Sequence, residues 1–475
     1  MHEDRFFDSD PTVRRLARTL FERTSALPII SPHGHVDPRI LADDAPFPEP
    51  TALLVLPDHY VLRMLYSRGI PLEQLGIAPR DGSEATLAAP RAVWQTLGDN
   101  YYLFRGTPTA VWLDYQMSAV FGVTTPLNAE TAAPIYDAIA ERLQSPEFRP
   151  RVLFDRFRIE VLATTDAATD GLESHRAIRD SGWPGKVIPT LRPDALFRIA
   201  SPDWRAHVAA LEQLTGSQIE TAAQLVDALA DRRRFFKTLG ATATDHGVES
   251  PATSWLDAGD LDGAFARARA GAATADDQCR FDAHMLMEMA RLSTADRLVM
   301  QLHAGSFRNH NANLFDAFGP DRGADIPVAT EYTRNLHALL NAYGSHPDFR
   351  LIVFTLDEST YSRELAPLAG HYPAMRLGPP WWFHDSIEGM TRYRQRTTET
   401  AGIYNTAGFN DDTRAFCSIP ARHDLSRRVD ANWLAGLVAR HVVSLADAQE
   451  MADALAYGLA RDAYRLAPQE NLPCT

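Results

Sequence analysis

"LPIISPHGHVDP" (residues 27–38) runs a short apolar segment into two histidines one residue apart. In an extended chain residues i and i+2 share a face, so the spacing predicts that His33 and His35 turn both imidazoles toward one point, with Gly34 leaving room between them. Two imidazoles at the carboxyl end of a strand make part of a site for zinc or a similar divalent ion. An isolated HxH pair is weak support, because such pairs are more often incidental core or surface features. Its weight depends on what the rest of the chain brings to the same place.

Seven further apolar runs follow: "RIEVLATTD" (158–166), "KVIPTLRPD" (186–194), "GATATDHG" (240–247), "RLVMQLHAG" (297–305), "FRLIVFTLDE" (349–358), "AMRLGPPWWF" (374–383) and "AGFNDDT" (407–413). Each is bounded by polar or Gly/Pro punctuation, and most are followed by helical periodicity. Eight strands alternating with helices predict an α/β fold, a (β/α)8 TIM-like barrel. Helices are expected at 222–239, after Thr221 and before Gly240, and at 329–343, ending at Gly344. A last helix should open at Ser444 with Asp447 in capping-box spacing and lay its apolar stripe on the barrel exterior. The rhythm breaks once, between the first two strands. We therefore divide the chain into an N-terminal helix and first barrel strand (1–38), a helical insertion (39–156), and the remaining barrel with C-terminal helices (157–475). An insertion at the carboxyl end of a strand borders the mouth where barrels place their sites.

Titratable groups recur at the ends of the later runs: Asp245 and His246, then His303, then Asp411 and Asp412. Asp412, on the last strand beside the first, is the expected carboxylate ligand completing His33/His35/Asp412, while Asp411 should face the other way. Its alternative reading is a turn aspartate. Only two lysines exist, Lys186 and Lys237, and neither ends a strand, so a pair of ions bridged by a carbamylated lysine is excluded and a single ion remains. His59 and Tyr60, with Arg192, Arg308 and Arg414, fall in predicted rim segments. A guanidinium matches a carboxylate as a planar fork, and three at strand ends of an acidic chain suggest a small anionic substrate. Met285, Met287, Met289 and His284 share a helical stretch and read as core. "PPWWF" (379–383) reads equally as packing or as a wall of the site, with His384 and Asp385 unassigned beside it.

The 475 residues are 45% hydrophobic with a formal net charge of −14, a surface that repels nucleic acid and anionic lipid. The three cysteines lie far apart, the N-terminus lacks a signal pattern, and no apolar run approaches membrane-spanning length. We expect a cytoplasmic protein without nucleic-acid or membrane partners, assembling as a homo-oligomer.

Taken in order, "SPHGHVDP", "DHYVLRML", "PTLRPD", "DHG", "QLHAGSFRNHN" and "DDTRAFCSIPARHD" resemble uronate isomerase, also called glucuronate isomerase, of the amidohydrolase superfamily. The resemblance spans about residues 25–425. It implies an amidohydrolase-type barrel with a helical insertion, and interconversion of D-glucuronate with D-fructuronate and of D-galacturonate with D-tagaturonate. It also implies one divalent metal, commonly zinc, on His33, His35 and Asp412. Tyr60, His59, Arg192, Asp245, His303, Arg308 and Arg414 would line the substrate site. Aldose–ketose isomerisation moves a proton between C2 and C1 through an enediol. Asp412, Tyr60, His303 and Asp245 are the catalytic candidates, and His59, Arg192, Arg308 and Arg414 the substrate-binding ones. The rival is a mononuclear metal-dependent hydrolase or deaminase on the same barrel, which needs a metal-bound water and usually another histidine from a later strand. The sixth run has none. A noncatalytic sugar-acid binding protein is the third class.

Overall fold

The computed structural model describes residues 1–82 and 86–466. Cys474 and the end of the predicted C-terminal helix lie outside the described residues. Seven strands form one parallel sheet: β1 (Ile29–Ser31), β2 (Ile159–Ala167), β3 (Lys186–Arg192), β4 (Ala243–Val248), β5 (Val299–Ala304), β8 (Leu351–Thr355) and β9 (Met375–Leu377), hydrogen-bonded in the order β1-β2-β3-β4-β5-β8-β9. A separate antiparallel pair, β6 (Ser306–Phe307) and β7 (Ile326–Pro327), ties together the segment after β5.

The eighth run does not form a strand. Residues 407–413 bridge the two edge strands through single main-chain bonds: Ala407 N to Leu377 O at 2.7 Å, His35 N to Thr413 O at 2.9 Å and Asp412 N to His33 O at 3.3 Å. Two features keep this segment off a regular ladder: Gly408 at φ +73° and Asp412 at φ +41° both lie in the left-handed region, which no extended strand uses. The sheet thus curls into an α/β barrel closed by an irregular eighth segment.

Alternation decides what each strand sends inward. Ile30, Val161, Ala163, Ile188, Ala243, Val299, Ile352 and Phe354 fill the barrel interior, whereas Leu191, Met300, Leu302, Leu351 and Val353 meet the surrounding helices. Met285, Met287 and Met289 belong to that outer core, as expected of them.

Several helices start where the sequence predicted. Thr221 and Gln224 form a capping box on helix Ala222–Thr238, with Gly240 left-handed just beyond it, and Ser444 and Asp447 do the same for helix Leu445–Asp453. The helix predicted for 329–343 is shorter, His337–Tyr343. Its first half is replaced by turns, in which the Glu364 carboxylate accepts bonds from the Tyr332 and Thr333 amides. Gly344 is right-handed, so it does not act as a left-handed stop.

The C-terminal segment also departs from expectation. Leu445–Asp453 packs with the N-terminal helix Pro11–Ser25, but the chain then enters the amino-terminal end of the barrel. Ala460, Ala463, Tyr464 and Leu466 join the interior cluster, and the Tyr464 hydroxyl donates to Gln301 Oε1 on β5 at 2.9 Å. The barrel floor is therefore built from the end of the chain.

Between β1 and β2 the insertion folds into short helices, among them His59–Tyr66, Pro90–Asp99, Pro108–Tyr115 and Ala132–Leu143. Their apolar faces share one core with Ile29, Leu162, Val187 and Ile419, so the insertion packs directly on the barrel wall. No helix among the described residues is long and apolar enough to cross a membrane.

Candidate active site

At the carboxyl ends of the strands opens a cavity of about 600 Å³. It gathers ten of the twelve residues singled out at the two histidines, the rim and the strand ends: His33, His35, His59, Tyr60, Arg192, Asp245, His303, Arg308, Asp412 and Arg414.

β1 stops at Ser31, so His33 and His35 lie just past it on irregular chain, bent at His33, that the eighth segment holds in place. Their rings meet edge to face with centroids 5.3 Å apart. Gly34 is not needed for space, since a Cβ there would find only ordinary contacts at 3.5 Å or more. Both Nε2 atoms approach Asp412 Oδ1, His33 at 3.4 Å and His35 at 3.1 Å. Across the barrel, His303 stacks on His33 at 4.6 Å and on Phe354 at 4.0 Å. Ligand atoms of His33, His303 and Asp412 all lie within 4.8 Å of one another, a group able to hold a metal ion. The donor set is two or three imidazoles with one carboxylate, the chemistry of a zinc-type site.

The orientation of His303 supports that fit. Its Nδ1 is hydrogen-bonded to Asp245 Oδ1 at 2.6 Å, and its Nε2 is buried without a partner. A carboxylate fixing one ring nitrogen leaves the other with a lone pair aimed into the cavity, able either to ligate a metal or to take a proton. The left-handed backbone of Asp412 is a second sign, because strain of that kind persists where surrounding structure enforces it and clusters at functional sites.

Charge in the cavity is arranged in pairs. Burial raises the Asp245 carboxyl, but Arg192 and His303 outweigh it and hold the group well below the usual carboxylate range. Burial is likewise outweighed at Asp412, where His33 and His35 keep the carboxylate ionised. Burial favours the neutral form of His33, yet Asp412 and Asp245 raise its pKa above the ordinary value. For His35 and His303 burial wins and the pKa falls. His59 is pushed down to about 3 by burial and then by Arg414, and burial drives the Tyr60 phenol well above its ordinary value. At neutral pH the cavity thus holds an ionised acceptor, Asp412, and a protonated donor, Tyr60.

Each predicted arginine already has a carboxylate. Arg192 donates to Asp194 at 2.7 Å and faces Asp245 at 3.3 Å, and Arg308 donates to Asp325 at 2.8 Å. Arg414 has only the partly exposed Asp321, at 3.2 Å. Trp382 forms a wall, with Arg308 over its ring at 5.1 Å and the His59 ring at 5.3 Å. Trp381 meets His303 edge-on at 4.8 Å.

Two strand-end residues turn away. His246 points to the helices, parallel to Phe197 at 6.2 Å and near Thr244 Oγ1 at 3.1 Å, because its neighbour Asp245 takes the inward position. Asp411, as expected, faces away from Asp412 and meets His423 Nε2 at 3.1 Å.

The sequence reading missed Arg422. This buried side chain lines the cavity, donates to Asp385 at 2.8 Å and to the Asp411 carbonyl at 3.1 Å, and lies 3.6 Å from the Trp112 ring centroid. It couples the Asp411–Asp412 turn to the insertion that carries Tyr60. Asp321 and Asp325 were also missed, since nothing in "PDRGADIP" (320–327) marks them apart from other loop acids.

A barrel whose mouth combines a histidine–carboxylate cluster with paired arginines defines a small-molecule enzyme acting on an anion. Residues 4–464 match the glucuronate isomerase family, and the chain belongs to that family. A uronate isomerase of Nostoc punctiforme is 54% identical, with 98% of each chain covered. Among solved structures, glucuronate isomerase from Caulobacter crescentus superimposes with a TM-score of 0.96 at 48% identity, covering 100% of this chain and 99% of that one. Uronate isomerase from Thermotoga maritima gives 0.90 at 26% identity, covering 98% and 99%.

Proposed function

We infer that the chain is a uronate isomerase, interconverting D-glucuronate with D-fructuronate and D-galacturonate with D-tagaturonate. The single observation carrying this reading is the match over residues 4–464. The cavity chemistry agrees with it: an anionic sugar needs a cation at one end and proton-moving groups at the other.

In our reading His33, His35 and Asp412 hold one divalent ion, zinc, with His303 facing the same point. When bound, that ion fixes substrate oxygens and stabilises negative charge developing on them. Arg414 clamps the sugar carboxylate, because among Arg192, Arg308 and Arg414 it has the longest contact to a protein carboxylate, 3.2 Å to a partly exposed Asp321 against 2.7 and 2.8 Å for the others. Arg192 and Arg308 border the substrate with His59. His303, held by Asp245, accepts the anomeric hydroxyl proton at Nε2 and passes it to the ring oxygen as the C1–O5 bond breaks. Asp412 then removes the C2 proton while the Tyr60 hydroxyl protonates O1, giving the enediol. Once the proton on Asp412 has exchanged with solvent, Asp412 delivers a proton to C1 while Tyr60 takes the O2 proton, and the ketose results. No step requires an activated water, which separates this reading from a hydrolase.

Turnover in deuterated water tests it. The expected result is ketose, detected by coupled reduction, with solvent deuterium at C1 and none of the products of hydrolysis. Ammonia or carboxylate release, or uronate binding without turnover, contradicts it. Asp412→Asn should lower kcat by about 10²- to 10⁴-fold, the usual worth of a positioned base.

A further inference from the structure

A second recess lies at the opposite, amino-terminal end of the barrel, with a volume of about 170 Å³. Three arginines from three elements meet there: Arg156 at the end of helix Pro150–Arg156, Arg158 just before β2, and Arg427 in helix Ile419–Ala439. Arg427 is only 7% exposed, while Arg156 and Arg158 reach solvent.

Their side-chain hydrogen bonds go to main-chain carbonyls. Arg158 donates to Ser25 O at 2.8 Å and Ala26 O at 3.0 Å, Arg427 to Pro28 O at 2.8 Å and Arg156 to Val120 O at 2.8 Å. Among the described residues no carboxylate forms an ion pair with any of the three. Asp424 borders the recess, but its Oδ2 accepts bonds from Arg5 and Arg428. Arg427 Nε is buried without a partner. This contrasts with the active site, where Arg192, Arg308 and Arg414 each face an aspartate. A guanidinium carries five N–H donors, so carbonyl contacts leave most of this cluster's capacity unused. Burial and then the neighbouring Arg158 push the Arg427 pKa down to about 10, against the smaller opposing pull of Asp424.

We propose that this recess binds a phosphate group, either inorganic phosphate or the phosphate of a small metabolite. Three planar forks lining one recess suit an oxyanion with several acceptor oxygens. The recess is closed below by Arg427 and is too small for a folded partner or a bulky ligand.

Calorimetric titration with sodium phosphate, against sodium chloride at equal ionic strength, tests the site. The intact chain should give one saturable phosphate isotherm. In the double variant Arg156→Gln/Arg158→Gln phosphate affinity should fall at least tenfold while uronate turnover stays unchanged. Arg414→Met, which alters the active-site mouth, should bind phosphate like the parent. Should the double variant fold poorly, Arg156→Gln alone, at an exposed side chain, should weaken phosphate at least threefold. Glycerol 3-phosphate displacing inorganic phosphate identifies a phosphorylated metabolite as the natural source, and failure to displace it identifies the free ion. Absence of a phosphate isotherm, its survival in the variants at 156 and 158, or its loss in Arg414→Met overturns the proposal.

Discussion

His33, His35, His303 and Asp412 owe their meeting to different local causes, and single substitutions separate them. Asp245→Asn leaves a similar volume but removes the charge that fixes His303 Nδ1. Loss of such a supporting carboxylate should lower activity or metal affinity about 10- to 100-fold. Metal content and kcat measured on the same preparation check this, and an unaltered variant would remove Asp245 from the account. Arg414→Met should raise the KM for D-glucuronate about tenfold or more, the worth of a charged hydrogen bond of about 1.5–3 kcal/mol, while hardly affecting binding of a neutral hexose. If the uronate preference persisted, the clamp would belong to another arginine. His246, turned outward, offers a pH test of the fold. Burial lowers its pKa to about 4, so between about pH 6.5 and 4 the unfolded chain takes up a proton that the folded chain refuses. Stability should therefore fall with acidification through that window, by up to about 3 kcal/mol from this group. Urea midpoints between pH 7 and 4.5 should slope less steeply in His246→Gln, and equal slopes would contradict the assignment.

At the scale of elements, the strands were legible wherever a buried apolar run ended in polar punctuation: β3, β5 and β8 fall within their predicted runs, and β2 and β4 overrun theirs by one residue each. The eighth was not, because "AGFNDDT" has the length and position of a strand while its closing role depends on left-handed backbone at Gly408 and Asp412. A Cβ at Gly408 would also approach Ala460 N at 2.8 Å, where the C-terminal segment enters the barrel. Gly408→Ala should therefore destabilise the chain by more than 1 kcal/mol, combining backbone strain with that clash. A melting temperature unchanged from the parent would mean that the segment and the barrel floor are not coupled there. The destination of the C-terminal helix was illegible for a related reason. An apolar stripe states that a surface must be covered, and both the barrel exterior and its open end satisfy it.

For the whole molecule, ordered motifs revealed more than any local pattern. HxH alone left metal binding open, whereas strand ends bearing Asp245, His303 and Asp412 placed three groups at one mouth by topology. Hidden from sequence were the residues whose role is purely relational, such as Arg422 holding Asp385 and the Asp411 carbonyl, and Asp321 facing Arg414. Asp385 and Arg414 lie far along the chain from Arg422 and Asp321, and the closed barrel brings them together. The insertion belongs to the same logic: sharing a core with the barrel wall, it delivers His59 and Tyr60 to the mouth as fixed parts of the cavity.

The most direct measurement is the metal stoichiometry of the purified chain and of His33→Asn, determined after removal of loosely bound ions and resupply of zinc. One equivalent per chain in the parent, falling to less than a tenth in the variant, is the result this account predicts. Full occupancy in His33→Asn, or no tightly held ion in the parent, would contradict it.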